Sequence, residues 1–226
     1  MKKRIIISVL LLIIICAVGI MSYSPLRNKI EQIFFATKVY NLLNSEEYMN
    51  LHQVITKDSV NSRTIMWQSL NDREDFILEY KQENEDEILQ AKPQKSVLDI
   101  DNKKIYIYAV TLENLKADMV YDYRLGFENN RSDWYKLKTA KENNNKFKAL
   151  IFPDSQSNDY TEWKSLAMNA WQNNQDSDFF INMGDLVDNG YDLVQWNGWF
   201  DGVEPMVNNI PVAPVQGNHE TYTTDW

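Results

Sequence analysis

Apolar positions along the chain change their spacing several times, and each change predicts a different kind of element. Ile5 to Met21 form a nearly unbroken apolar run behind Lys2, Lys3 and Arg4. A run this apolar on every side does not suit a half-exposed helix, and with its basic start it predicts a targeting segment over residues 1–23. It is longer than a usual signal core and slightly short of the ~20 residues of a comfortable membrane span. Ala17-Val18-Gly19 offers a weak small-x-small cleavage site. A cleaved signal peptide and a retained anchor therefore both stay open. In either form the basic end stays inside and the rest is exported, as a secreted protein or one anchored to the outer face of the cytoplasmic membrane. Ser24-Pro25 then opens a helical spacing through Ile30, Ile33, Phe34 and Leu42, which predicts a linker helix over residues 24–50.

Beyond Leu51 the period shortens. Arg63 to Ser69, Phe76 to Tyr80, Ser96 to Ile100, Lys104 to Leu112, Val120 to Phe127 and Trp134 to Leu137 are short runs rich in Ile, Tyr, Val and Trp, with polar turns between them. Their number and length predict an antiparallel sandwich over residues 51–140. Trp67 falls mid-strand, where a sandwich buries a large aromatic. Tyr121, behind a polar turn after Leu115, is placed like a tyrosine corner. Core packing is the preferred reading of these aromatics.

The polar linker Lys141 to Lys146 precedes a third rhythm, which covers residues 147–226. Phe147 to Phe152 and Asp178 to Met183 read as buried strands. Trp163, Leu166, Ala167, Ala170 and Trp171 keep the spacing of an amphipathic helix, and Tyr191 to Phe200 predicts a second one. Ile210 to Gln216 is a third extended segment, weakened as a paired strand by Pro211 and Pro214. This β-α-β-α-β order predicts a mostly parallel, helix-covered sheet, so the fold class is α+β and multi-domain.

Composition narrows the function. A net charge of −9 leaves no evident nucleic-acid-binding surface. The single cysteine, Cys16, lies in the leader, so the folded part has no disulfide and relies on its core, metals or partners.

The chemistry lies where the three α/β strands end. Each stops at an oxygen donor: Asp154, Asp185 and Asn218. Parallel sheets build sites at the carboxyl ends of their strands, so these donors converge on one edge. Carboxylates brought together without basic partners repel, and a cation relieves the repulsion. The surrounding residues are Pro153-Asp154-Ser155-Gln156, Gly184-Asp185-Leu186-Val187-Asp188 and Gly217-Asn218-His219-Glu220. In this order and spacing they resemble the D-x-H/Q, G-D-x-x-D and G-N-H-E blocks of the calcineurin-like metallophosphoesterases. Ser62 to Ser69 and Leu115 to Leu125 are similar to the fibronectin III-like N-terminal domain of purple acid phosphatases.

The resemblance implies a fibronectin III-like sandwich followed by the first half of a metallophosphoesterase domain. It implies that Asp154 and Gln156 bind one divalent metal ion, that Asp185 bridges two, and that Asn218 binds the second. It makes His219 a catalytic group facing the phosphate, and Asp188 and Glu220 carboxylates that orient the ligands. Gly184 and Gly217 would permit sharp turns and close backbone approach. The activity implied is hydrolysis of phosphate esters by metal-activated hydroxide, with membrane contact only through an uncleaved N-terminal segment.

Two departures qualify this. Purple enzymes carry a Tyr at the position of Asp188, and Tyr191 is three residues displaced. This argues against an Fe(III)-tyrosinate centre and for a divalent pair such as Mn, Zn or Fe(II). Gln156 is a neutral amide where many relatives have His. The family also completes its site with a lone His and a G-H-x-H block, whereas this chain has two histidines, and His52 is read as a surface or loop residue ahead of the sandwich. The expectation is therefore an N-terminal fragment with an incomplete site and an unpaired apolar sheet edge. The alternative is a non-catalytic cell-surface binding module with a decayed phosphoesterase domain.

Overall fold

The computed structural model describes residues 48–100, 103–143, 146–157 and 159–221, together with Lys29 and Thr37, which are helical. The leader over 1–23 and nearly all of the linker helix lie outside the described residues. Among the described residues no helix is long and apolar enough to cross a membrane.

Two sheets form the sandwich. β1 (Met49–Val54), β2 (Arg63–Ser69), β6 (Lys103–Leu112) and β5 (Gln94–Ile100) pair antiparallel in that order. Facing them are β4 (Leu89–Ala91), β3 (Ile77–Gln82) and β7 (Val120–Phe127), with β8 (Asn130–Arg131) and β9 (Tyr135–Lys138) also on β7. Alternate residues of β2 turn inward, so Ile65 and Trp67 are wholly buried. Trp67 stacks on Tyr108 at 5.7 Å and meets the edge of Phe76. The Tyr121 hydroxyl accepts the Lys116 N–H at 2.9 Å, which fastens the turn before β7 as a tyrosine corner does.

The strand β10 (Ala149–Phe152) begins the α/β unit, followed by α1 (Thr161–Gln172), β11 (Phe179–Asn182), α2 (Leu193–Val207) and β12 (Val212–Pro214). The three strands are parallel, in the order β10-β11-β12. Helix α2 runs past the Phe200 expected as its end, through Gly202 and Pro205, because Val203, Met206 and Val207 are all buried. Tertiary packing here overrides the low helix propensity of Gly and Pro. Gly202 has a further reason: a Cβ there would lie 2.5 Å from Trp163 Cδ1 of α1.

Three expectations are corrected. The linker helix does not extend to the expected residue 50, because β1 begins at Met49, and its polar Asn50, His52 and Gln53 hide its strand character. His52 is no loop residue: it lies in β1, pairs with Met66 of β2, and its ring lies 5.1 Å from Phe200. The edge expected to be unpaired is partly closed, because β12 pairs in parallel with β1 through Val54 and Val212. The sandwich sheet and the parallel strands thereby form one seven-stranded sheet. Pro211 and Pro214 do not prevent this. On the β1 side the Val212 carbonyl accepts the Ile55 N–H at 3.3 Å, and on the β11 side the Pro211 carbonyl accepts from Phe180 and the Val215 N–H donates to Asn182, so neither missing proline N–H is needed.

Candidate metal centre

The loops after β10, β11 and β12 leave the same sheet edge, and backbone contacts bind them into one unit. The Ser155 and Gln156 N–H groups both donate to the Asp185 carbonyl, at 3.1 and 3.0 Å. Asp185 Oδ1 accepts the His219 N–H at 2.9 Å. Asp185 thus touches both neighbouring loops, one through its backbone and one through its carboxylate. It sits at φ 47°, a left-handed conformation that Asp tolerates better than most residues.

Glu220 holds this arrangement from the other side. Its Oε1 accepts from Leu186 and Val187 at 2.8 and 3.2 Å, and its Oε2 from Asp185 and Gly217 at 3.1 and 2.7 Å. Three successive N–H groups of the Asp185 loop form a concave nest suited to an anion, and this carboxylate fills it. The approach requires glycine. Gly184 has φ 102°, and a Cβ on Gly217 would lie 2.2 Å from Asp185 Oδ1.

Asp154 is exposed at the end of β10 and Asn218 is exposed at the turn after β12. Gln156 differs from both. Its side-chain oxygen Oε1 is buried and has no hydrogen-bond partner. A buried carbonyl-type oxygen left unpaired is costly, and coordination to a cation would satisfy it. Two carboxylates and two amides supply oxygen donors suited to a divalent ion. Among the described residues no three of His, Cys, Asp and Glu gather as a metal-holding group, so such a site here depends on the amide oxygens.

His219 projects beside these donors. Its Nδ1 donates to the Asp188 carbonyl at 2.8 Å, and the Asp188 carboxylate lies 3.6 Å away. The Asp188 carbonyl, with the nearby charges of Asp185, Asp188 and Glu220, raises the imidazole pKa above its ordinary value.

Several supporting residues were not apparent from sequence. Ser155 turns inward after the exposed Asp154, and its Oγ accepts from Asn182 and from the Trp199 indole, both at 2.9 Å. This ties the Asp154 loop to β11 and α2. Trp199 stacks on Trp163 at 5.8 Å and its carbonyl accepts that indole N–H. Its place between Asp154 and Gln156 is the one sequence signal that could have marked Ser155. Tyr160, in contact with Asp188, carries no such signal. Burial pushes its phenol pKa up, which disfavours a phenolate.

Comparison with known proteins matches the chain to two family models. Residues 48–139 match the purple acid phosphatase N-terminal domain, and residues 132–226 match the calcineurin-like phosphoesterase model. The two matches together span residues 48–226, a purple acid phosphatase N-terminal match followed by a calcineurin-like phosphoesterase match. Two Arabidopsis thaliana relatives carry the names probable inactive purple acid phosphatase 27 and 24. They are 27% and 28% identical over 139 residues, which is 54% of this chain and 22% of each relative. The purple acid phosphatase PPD1 from yellow lupin (Lupinus luteus) superposes with a TM-score of 0.64 at 19% identity, over 76% of this chain and 35% of the lupin chain. PhoD superposes with a TM-score of 0.54 at 13% identity, over 77% and 40%. At these identities the structural likeness concerns the fold alone. The chain thus spans about a fifth of its curated relatives' length and about a third of the lupin chain.

Proposed function

We propose that this chain is part of an exported, binuclear metal-dependent phosphoesterase. Asp154 and Gln156 would hold one divalent ion, Asp185 would bridge both, and Asn218 would hold the second, with Mn, Zn or Fe as the candidate metals. The buried, unpartnered Oε1 of Gln156 beside Asp154, on the same edge as Asp185, carries this reading. When bound, such a pair supplies Lewis acidity toward the phosphoryl oxygens and the attacking water.

The chain's own residues set the rest. Glu220 holds the Asp185 and Gly217 backbones in register, so Asp185 keeps one carboxylate oxygen on the His219 N–H and the other free. His219, whose Nδ1 is held by the Asp188 carbonyl, would face a phosphate ester and donate a proton to its leaving oxygen. Asp188 in place of a tyrosine favours a divalent pair over an Fe(III)-tyrosinate. Export rests on Lys2, Lys3 and Arg4 ahead of the apolar run, and an uncleaved run would hold the protein at the membrane.

The test is hydrolysis of 4-nitrophenyl phosphate by the natural full-length protein, with bound metal measured alongside. Asp185→Asn should lower turnover about 100-fold or more and reduce metal content. His219→Ala should slow turnover by roughly two orders of magnitude and leave metal content nearly intact. Normal activity in Asp185→Asn removes the bridging role, and metal loss in His219→Ala makes it a ligand. The second reading, a non-catalytic surface module, is favoured by the names of the two Arabidopsis relatives. It is supported if the protein binds metal but turns over no phosphate ester.

A further inference from the structure

A cavity of about 1000 Å3 opens between the sandwich and the α/β unit, at the amino ends of the parallel strands and away from Asp154, Asp185 and Asn218. Its wall includes Arg63 at the start of β2, Lys138 at the end of β9 and Ser177 just before β11. Trp171, Phe179 and Pro211 supply apolar surface.

Arg63 is chemically out of place as a packing residue. It is 3% exposed, and its Nη2 donates to the Lys138 carbonyl at 2.9 Å. Its Nε is buried and has no acceptor. Among the described residues no carboxylate pairs with it. Leaving the Nε donor of a guanidinium unsatisfied and its charge unpaired inside a protein is costly. Burial lowers its pKa to about 10, which still leaves it cationic at neutral pH.

Ser177 shows the same signature from the other unit. It is 5% exposed, and its Oγ has no partner. Two buried, unsatisfied polar groups from separate elements on one cavity wall are better explained by a ligand than by two independent packing faults.

The remaining charges on the wall are mostly paired. Lys136 binds Glu83 and Asp122, Lys141 lies 3.5 Å from Asp118, and Lys148 neutralises Asp176. The Asp178 carboxylate accepts the Lys148 N–H. Arg63 and Lys138 remain as the cations without a carboxylate partner among the described residues.

We propose that this cavity is a second ligand site, taking a small organic anion. Its acidic group, a carboxylate, phosphate or sulfonate, pairs with Arg63 and reaches Lys138 and Ser177. Its apolar body lies against Trp171, Phe179 and Pro211. Because both units line the cavity, an occupant ties them together and raises the stability of the whole.

Fluorescence titration of the full chain with anilinonaphthalene sulfonate tests this against the uncharged N-phenylnaphthylamine. One sulfonate probe is expected to bind per chain. Arg63→Met should weaken it about ten-fold or more, the factor equivalent to about 1.4 kcal/mol, while binding the uncharged probe as wild type does. Lys138→Gln alters an exposed side chain and should weaken the sulfonate several-fold, so it decides the matter if Arg63→Met does not fold. Asp185→Asn should leave probe affinity unchanged, which separates this cavity from the proposed metal edge. Binding that is not one-to-one, or sulfonate affinity unchanged in the folded variants at Arg63 and Lys138, overturns the proposal.

Discussion

Glu220 accepts hydrogen bonds from four backbone N–H groups on two loops, which makes it the main fastener of the candidate centre. Bonds to a charged acceptor are worth about 1.5–3 kcal/mol each in favourable cases, but their values do not add when one group makes all of them. Glu220→Ala leaves four donors to find water and is expected to cost about 2–4 kcal/mol. Urea unfolding of the variant measures this, and a cost below about 1 kcal/mol would show that water replaces the carboxylate fully. In sequence Glu220 stands beside Asn218 and His219 in the G-N-H-E block. Sequence could not show the nest that Glu220 fills, because the N–H groups of Asp185, Leu186 and Val187 lie more than thirty residues earlier and converge only once β11 and β12 are adjacent. The oxygen donors at the strand ends were legible for the opposite reason: each is local to its own strand.

At the scale of the element, β3 shows how a strand buries a charge on its outer face. Leu78 turns into the core, and Glu79 turns outward yet is 4% exposed. Arg124, directly opposite on β7, donates to it at 2.7 Å, and Arg131 on β8 donates at 3.0 Å. Burial raises the Glu79 pKa, but the Arg124 hydrogen bond and the charges of both arginines outweigh this, and the net value lies below the ordinary 4.5. The unfolded chain therefore takes up this proton first. The contribution to stability is complete well above the ordinary value and is lost as pH falls through the depressed folded value. Glu79→Gln is expected to cost about 1–2 kcal/mol at neutral pH, discounted because both arginines are partly exposed. It should also flatten the decline in stability between about pH 5 and about pH 3. Denaturant midpoints across that range are the measurement, and parallel acid profiles for wild type and variant would remove Glu79 from the acid response. Alternation made β3 readable as a strand, but the cross-strand arginines follow from register, which alternation alone does not fix.

For the whole molecule, the decisive contacts are polar ones between the sandwich and the α/β unit. Gln53 of β1 is wholly buried, and its Nε2 donates to the Lys136 carbonyl at 2.7 Å and to the Asn208 carbonyl at 2.8 Å. The Tyr123 hydroxyl donates to the same Asn208 carbonyl at 2.7 Å, and the Lys136 N–H reaches Asn209 Oδ1 at 3.0 Å. Together with the β1–β12 pairing and the His52–Phe200 contact, these bonds join units that sequence reads as separate domains across a polar linker. A buried glutamine looks like a surface residue in sequence, since its partners are carbonyls 83 and 155 positions away. The consequence is that wild type should unfold in one transition. Gln53→Ala removes both bonds and leaves Lys136 O short of a donor, while Asn208 O keeps Tyr123. A loss of about 1–3 kcal/mol follows, the usual cost of an unsatisfied buried polar group. That loss should fall unevenly. The sandwich retains its own aromatic core, whereas the three-stranded α/β unit depends on β1 to cover its β12 edge. Hydrogen exchange should therefore quicken more in β11, β12 and α2 than in β2, β6 and β7. Equal quickening in both sets would mean that the two units are held together by something other than this glutamine.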